Sequence, residues 1–216
     1  MFEYLFDSFN WSGPEGITAR ILQHIWYTAA ALGLSALIAL PVGLYIGHTR
    51  RGAFLAINIG NAARALPSLG LLMLAVLLTD QIGFLPVLIA LVALGIPPIL
   101  TSTYAGLSGV DPATTDAARG MGMTGREILA KVEVPIALPL IISGLRSATL
   151  QIVSTATIAA LVSLGGLGRY VVDGLKLRDF PQMFSGALLV ALLAILLDLL
   201  FAVLGRVVVS PGLRNN

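Results

Sequence analysis

Charged residues along this chain are confined to short clusters separated by long apolar stretches. No Asp, Glu, Lys or Arg occurs between Arg20 and Arg50, between Asp80 and Asp111, between Arg146 and Arg169, or between Asp179 and Asp198. A membrane-spanning helix needs about 20 mostly apolar residues, and each gap is close to that length or longer. The pattern predicts an all-α polytopic membrane protein with five transmembrane helices. The first runs from about Trp26 to Ile46, with Pro41 near its end. The second lies between Ala53 and Leu78 and carries Arg64 and Pro67. The third runs from about Phe84 to Tyr104 through Pro97-Pro98, the fourth from about Leu138 to Val162 with Arg146, and the fifth from about Met183 to Leu204 with Asp198. A membrane β-barrel would alternate apolar and polar positions in segments of about 10 residues instead.

Composition agrees. Hydrophobic residues are 57% of the 216 and charged residues 11%, against about 45–50% and about 25% in soluble domains. With no cysteine, there is neither a disulfide framework nor a thiolate metal site. A net charge of +2 is too small to imply nucleic acid as a partner. The first twenty residues lack the basic opening of a cleavable signal, since Glu3, Asp7 and Glu15 face a single Arg20. Phe2, Tyr4, Phe6, Phe9 and Trp11 suit the membrane interface, so residues 1–22 read either as an ordered extracytoplasmic arm or as a frayed end. Lys and Arg favour the cytoplasmic side. Placing Arg50, Arg51, Arg119, Arg126, Lys131, Arg206 and Arg214 inside leaves Arg20, Arg169, Lys176 and Arg178 outside, which is N-out and C-in.

The 105–137 loop is too structured for a connector. Asp111-Pro112 starts a helix, because the Asp side chain caps free N–H groups and Pro suits the first helical position. That helix stops at Gly120 and Gly122; Thr124 then opens a second, with Glu127 three residues on, the spacing of a capping box. The second helix is expected to end before Pro135. Small Ala117 and Ala118 offer a smooth face on which another protein can sit.

Here the sequence resembles a known family. Asp116-Ala117-Ala118, Gly122 and Val132-Glu133-Val134-Pro135 are spaced like the EAA loop of permease subunits of ATP-binding-cassette importers, with Asp116 where that pattern has Glu. Asn58 to Leu71, Thr103 to Thr124, Ser143 to Ala148 and Ala156 to Gly168 resemble permeases for glycine betaine, carnitine, choline and other osmoprotectants. Over Ser163 to Gly168, Ser163-Leu164 replaces the first two residues of a Gly-Ala-Gly-Gly-Leu-Gly run. Methionine-importer permeases are the alternative, sharing size, spans and loop.

The resemblance implies a type I importer fold like that of the methionine permeases, in a prokaryotic cytoplasmic (inner) membrane. It implies a complex with a second permease chain, identical or homologous, two cytoplasmic ATPase subunits that bind ATP and Mg, and an extracytoplasmic substrate-binding protein. The coupling residues would be Asp116, Ala117, Ala118, Gly120, Gly122, Thr124, Glu127 and Pro135. The residues independently exclude an ATPase: a phosphate-binding P-loop needs Gly-Lys before Ser or Thr, and neither Lys131 nor Lys176 follows Gly. No catalytic residue, cofactor or metal site is assigned to this chain; His24 and His48 stand at opposite ends of the first span and cannot share a metal.

Quaternary ammonium ions are held by aromatic cages, and between Phe84 and Tyr170 the one aromatic is Tyr104, so selection would fall to the binding protein. Polar and kinked positions that would line a path are Asn61, Arg64, Pro67, Ser68, Gln151, Ser154, Thr155 and Thr157; hydrogen bonds to neighbouring helices are the simpler account of the polar ones. Arg146 and Asp198 sit at matched depth, about 12 Å in from one side at ~1.5 Å per residue, which makes them a candidate intramembrane charge pair. Residues 163–181 are too polar to span and read as a short extracytoplasmic helix or an external loop. The whole chain, 1–216, reads as one transmembrane domain.

Overall fold

The computed structural model describes residues 3–52, 54, 58–59, 65, 67–162 and 164–209. Among these every regular element is helical. After a short α1 (Glu3–Phe6) and a 3-10 turn (Ser8–Trp11) come α2 (Ile17–Thr49), α3 (Ser68–Thr79), α4 (Phe84–Ser108), α5 (Pro112–Gly120) and α6 (Gly125–Ile128). A π-helical turn (Leu129–Glu133) leads into α7 (Val134–Ala156); a 3-10 turn (Ile158–Val162), α8 (Gly168–Leu177) and α9 (Phe180–Val208) follow. Among the described residues, four stretches are long and apolar enough to cross a membrane: α2, α4, α9 and the continuous run Gly125–Ala156. The second expected span is represented by the twelve-residue α3; most of its first half lies outside the described residues, as do Arg214 and Phe2.

Boundaries follow local chemistry. Thr49 is the last residue of α2, and Arg50 turns left-handed at φ +56°, a common helix ending. Pro67, extended at ψ 119°, precedes α3, and Asp80 ends it at φ +50°. Hydroxyls inside the apolar helices fold back on their own backbone: Thr28 on the His24 carbonyl at 2.9 Å, Thr101 on Pro97 at 2.8 Å and Ser185 on Pro181 at 2.7 Å. In lipid such internal satisfaction is required.

The chain divides into two compact units. The first comprises Met1–Leu34, Leu66–Gly95 and Thr149–Asp198. Its core packs Ala31, Leu72, Ala75, Val87, Leu91 and Ile152 together with the turn residues Ala159 and Val162. A second cluster joins Ile17, Leu167, Tyr170 and Leu193, with Tyr4 and Leu5 against it. Within residues 4–11 the arm packs against this cluster: the Tyr4 and Tyr170 rings meet edge-on with centroids 5.7 Å apart, and the Trp11 indole donates to the Leu5 carbonyl at 2.7 Å.

The second unit comprises Ser35–Ala65, Ile96–Ala148 and Leu199–Asn216. Leu107, Ala137 and Ile141 form its core with Leu40, Leu44, Leu129 and Leu145. Glycines bring its helices close. A Cβ on Gly43 would lie 2.9 Å from the Thr103 side chain, one on Gly47 2.6 Å from Leu107, and one on Gly144 2.7 Å from Ser102. Small residues at such crossings let backbones approach without lipid between them.

Candidate functional site

The 105–137 segment folds largely as its residues dictate. The Asp111 carboxylate accepts from the Ala113 N–H at 2.9 Å, and Pro112 is the first residue of α5. Gly122 makes the turn at φ +85°, a conformation costly for any residue with a Cβ. The Gly122 and Met123 amides donate to the Arg119 and Ala118 carbonyls, closing the α5 end. Thr124 and Glu127 then cap α6 reciprocally: the Thr124 N–H reaches the Glu127 carboxylate at 3.0 Å and the Glu127 N–H the Thr124 hydroxyl at 3.4 Å. The Thr124 N–H, with Lys131 and the Thr124 hydroxyl, pulls the Glu127 carboxyl down to about 2. Thr124→Ala is expected to raise amide exchange in α6 about fivefold, read by hydrogen–deuterium exchange.

Two expectations need correction. Pro135 does not follow the end of a helix. The chain continues from α6 through the π-helical turn into α7, where Pro135 is the second residue. Pro135 has no N–H to bond back into the preceding turn, and the π turn there supplies the local change of hydrogen-bonding register. Nor do Ala117 and Ala118 share a face. Ala118 is 2% exposed and packs inward with Thr115, while Ala117 is exposed; consecutive helical residues point about 100° apart. The exposed side of the segment, broader than a single helical face, instead carries Asp116, Ala117 and Met121, the last 77% exposed at the apex between Gly120 and Gly122. The Asp116–Arg119 ion pair at 2.9 Å lies on that side. Met121 was legible in the sequence only as an apolar residue standing between two glycines.

The remaining candidates are less gathered. Asn61 and Arg64 lie outside the described residues. Pro67 and Ser68 mark the start of α3. Gln151 and Ser154, three residues apart on α7, are both exposed on one helical face, whereas Thr155 is 8% exposed and turned inward. The Thr157 hydroxyl is engaged with the Ser154 carbonyl at 2.6 Å. Arg146 is exposed on α7 and Asp198 half-buried on α9.

Within 164–181, Gly168–Leu177 form the helix α8, entered through a cradle of side chains from α2. The Gln23 side-chain oxygen accepts from the Gly166 N–H at 3.0 Å, and His24 Nδ1 accepts from the Leu167 N–H at 3.3 Å. Arg20 donates to Gln23 at 3.1 Å and pairs with Glu15 at 3.0 Å. Sequence reasoning missed Gln23 and His24; their signal was a polar pair in an otherwise charge-free apolar stretch. No group of three or more metal-ligating side chains occurs among the described residues.

Comparison with known proteins bears on this arrangement. Residues 15–210 match the family described as binding-protein-dependent transport system inner membrane component. The glycine betaine/carnitine/choline transport system permease protein OpuCB of Bacillus subtilis (strain 168) is 35% identical, over 89% of this chain and 88% of its own. The osmoprotectant import permease protein OsmW of Salmonella typhimurium is 34% identical, over 92% and 94%. In fold, a chain of the inward-facing MetNI methionine ABC transporter superposes with a TM-score of 0.77 over 90% of this chain and 96% of that one, at 22% identity.

Proposed function

The chain belongs to the family of binding-protein-dependent transport system inner membrane components, and from that premise we propose how it works and what it carries. It is a permease subunit of an ATP-binding-cassette importer, a membrane-spanning transport component. Our reading is that energy comes from two separate cytoplasmic ATPase subunits, which bind ATP and Mg, and that a second permease chain and an extracytoplasmic binding protein complete the complex. Residues 1–216 act as one permease domain, with the 1–22 arm and the 163–181 helix outside, the 105–137 loop inside, and the termini N-out and C-in.

The observation that carries the coupling role is the α5–turn–α6 segment. It projects Asp116, Ala117 and the exposed Met121, while Thr115, Ala118 and Ile128 are buried beneath. A partner gripping that outward face can displace it, and its helical continuity with α7 passes the displacement to a span. Such a movement biases a two-state element between inward- and outward-open forms. The path would draw on Asn61, Arg64, Pro67, Ser68, Gln151, Ser154, Thr155 and Thr157, with Arg146 and Asp198 as an intramembrane charge pair.

The cargo we infer is a quaternary ammonium osmoprotectant such as glycine betaine, choline or carnitine. Support comes from two relatives whose names specify those compounds and one named for osmoprotectant import, each aligned over most of both chains. The test is uptake by proteoliposomes holding the permease, its ATPase and its binding protein. ATP-dependent accumulation of radiolabelled glycine betaine, choline or carnitine is expected, with methionine excluded; the reverse preference would overturn the cargo. In the same vesicles Gly122→Leu should cut uptake about tenfold or more; its side chain has open space within 4 Å, but at φ +85° any Cβ strains the turn, so assembly of the variant is measured alongside its uptake. Undiminished uptake would remove the docking role.

A further inference from the structure

The last turn of α2 holds the loop at both ends. At the entry, the Arg50 guanidinium donates to the Ser108 carbonyl at 2.7 Å and the Val110 carbonyl at 3.1 Å. Carbonyls at a helix C-terminus lack intrahelical partners and carry partial negative charge, so a cation there closes the end of α4. At the exit, His48 Nδ1 donates to the Glu133 carboxylate at 2.5 Å. Glu133 is 4% exposed and ends the π-helical turn. The other imidazole nitrogen faces the start of α6, where a Cβ on Gly125 would stand 3.5 Å from Nε2.

We propose that His48 is a positioning residue for energy coupling: it fixes the last turn of the first long helix to the start of α6 and to the end of the π turn that follows it, so that a displacement of the loop reaches that helix undamped. The proposal rests on the reading of 105–137 as the ATPase-docking segment. Three features support it. A buried carboxylate requires a partner, and His48 supplies the hydrogen bond. The π turn is a place where a helix can change its hydrogen-bonding register, and Glu133 pins its last residue. Gly47, next to His48, and Gly43, one turn before Gly47, lie so close to Leu107 and Thr103 that α2 and α4 have little room to slide there. His48 and Arg50 thus join a tightly packed helix pair to the 105–137 segment.

The experiment uses the complete reconstituted transporter and measures substrate moved per ATP hydrolysed. His48→Ala is expected to hydrolyse ATP within about twofold of wild type while moving about tenfold less substrate per ATP. His48→Asn, whose amide N–H can donate to Glu133, should keep the wild-type ratio within about twofold. If His48→Ala fails to assemble, the double variant His48→Leu/Glu133→Leu removes both polar groups without stranding a charge and should assemble yet stay uncoupled. A wild-type ratio in His48→Ala or in the double variant overturns the proposal. So does a parallel loss of hydrolysis and uptake in both His48→Ala and His48→Asn, which marks a merely structural role. Wild-type vesicles without ATP-driven uptake would instead overturn the transport reading itself.

Discussion

A methyl group at residue 168 is expected to destabilise the protein by about 3 kcal/mol or more, a large fraction of a stability of about 5–15 kcal/mol. Gly168 opens α8 against the break that follows α7. A Cβ there would lie 2.1 Å from the Thr157 carbonyl oxygen and 2.7 Å from its carbon and Cα. Every nearby atom is backbone, so no side chain can rotate away. Thr157 cannot yield easily either: its hydroxyl is held on Ser154 and its carbonyl accepts from the Ala160 N–H. Thermal unfolding of the detergent-solubilised protein should show a lowered midpoint for Gly168→Ala. Gly33→Ala is the control. Its Cβ meets nothing within 4 Å, and Ala is favoured over Gly in a helix by about 1 kcal/mol, so its midpoint should hold or rise. An unchanged midpoint for Gly168→Ala would refute the close approach.

His24→Leu is the second large effect. His24 is fully buried; its Nδ1 accepts from the Leu167 N–H at 3.3 Å and its Nε2 lies 3.1 Å from the Val153 carbonyl. Because an amide can only donate, Nδ1 must be the acceptor; the hydrogen therefore sits on Nε2 and points at Val153. Val153 lies in the last turn of α7, where carbonyls lack helical partners. One imidazole therefore closes the end of α7 and secures the approach to α8. Leucine fills similar space but strands both groups, at roughly 1–3 kcal/mol each. The expected result is a midpoint lowered nearly as far as in Gly168→Ala, with faster amide exchange at Leu167. Retained protection at Leu167 would argue against this role.

The two histidines show what the sequence could not disclose. Their pairing with a metal was excluded by separation along α2, but their real partners lie 143 and 85 positions away, at Leu167 and Glu133. No local pattern encodes such distances. The α5 and α6 caps, by contrast, were legible because each depends on residues two or three apart. Span positions were legible from charge-free gaps, yet the helices overran them: α2 begins at Ile17 and carries Arg20, and α4 ends at Ser108. Hydropathy marks the apolar stretch, whereas caps mark where a helix stops. Ala118 was misjudged because smallness was read without phase, and Pro135 because a proline that ends one helix looks the same as one that begins another.

The π-helical turn also sets a clock angle. Each residue advances a helix by about 100°, and Leu129–Glu133 joins the projecting α6 to α7 without a break. The number of residues in that turn decides the direction in which α7 presents Gln151 and Ser154 when the loop is held. Deleting one residue would leave every contact within the loop chemically possible and rotate the following helix by more than a quarter turn. Substitutions in this stretch change affinities; changes in its length re-index the helix, as a gear is re-timed by slipping one tooth.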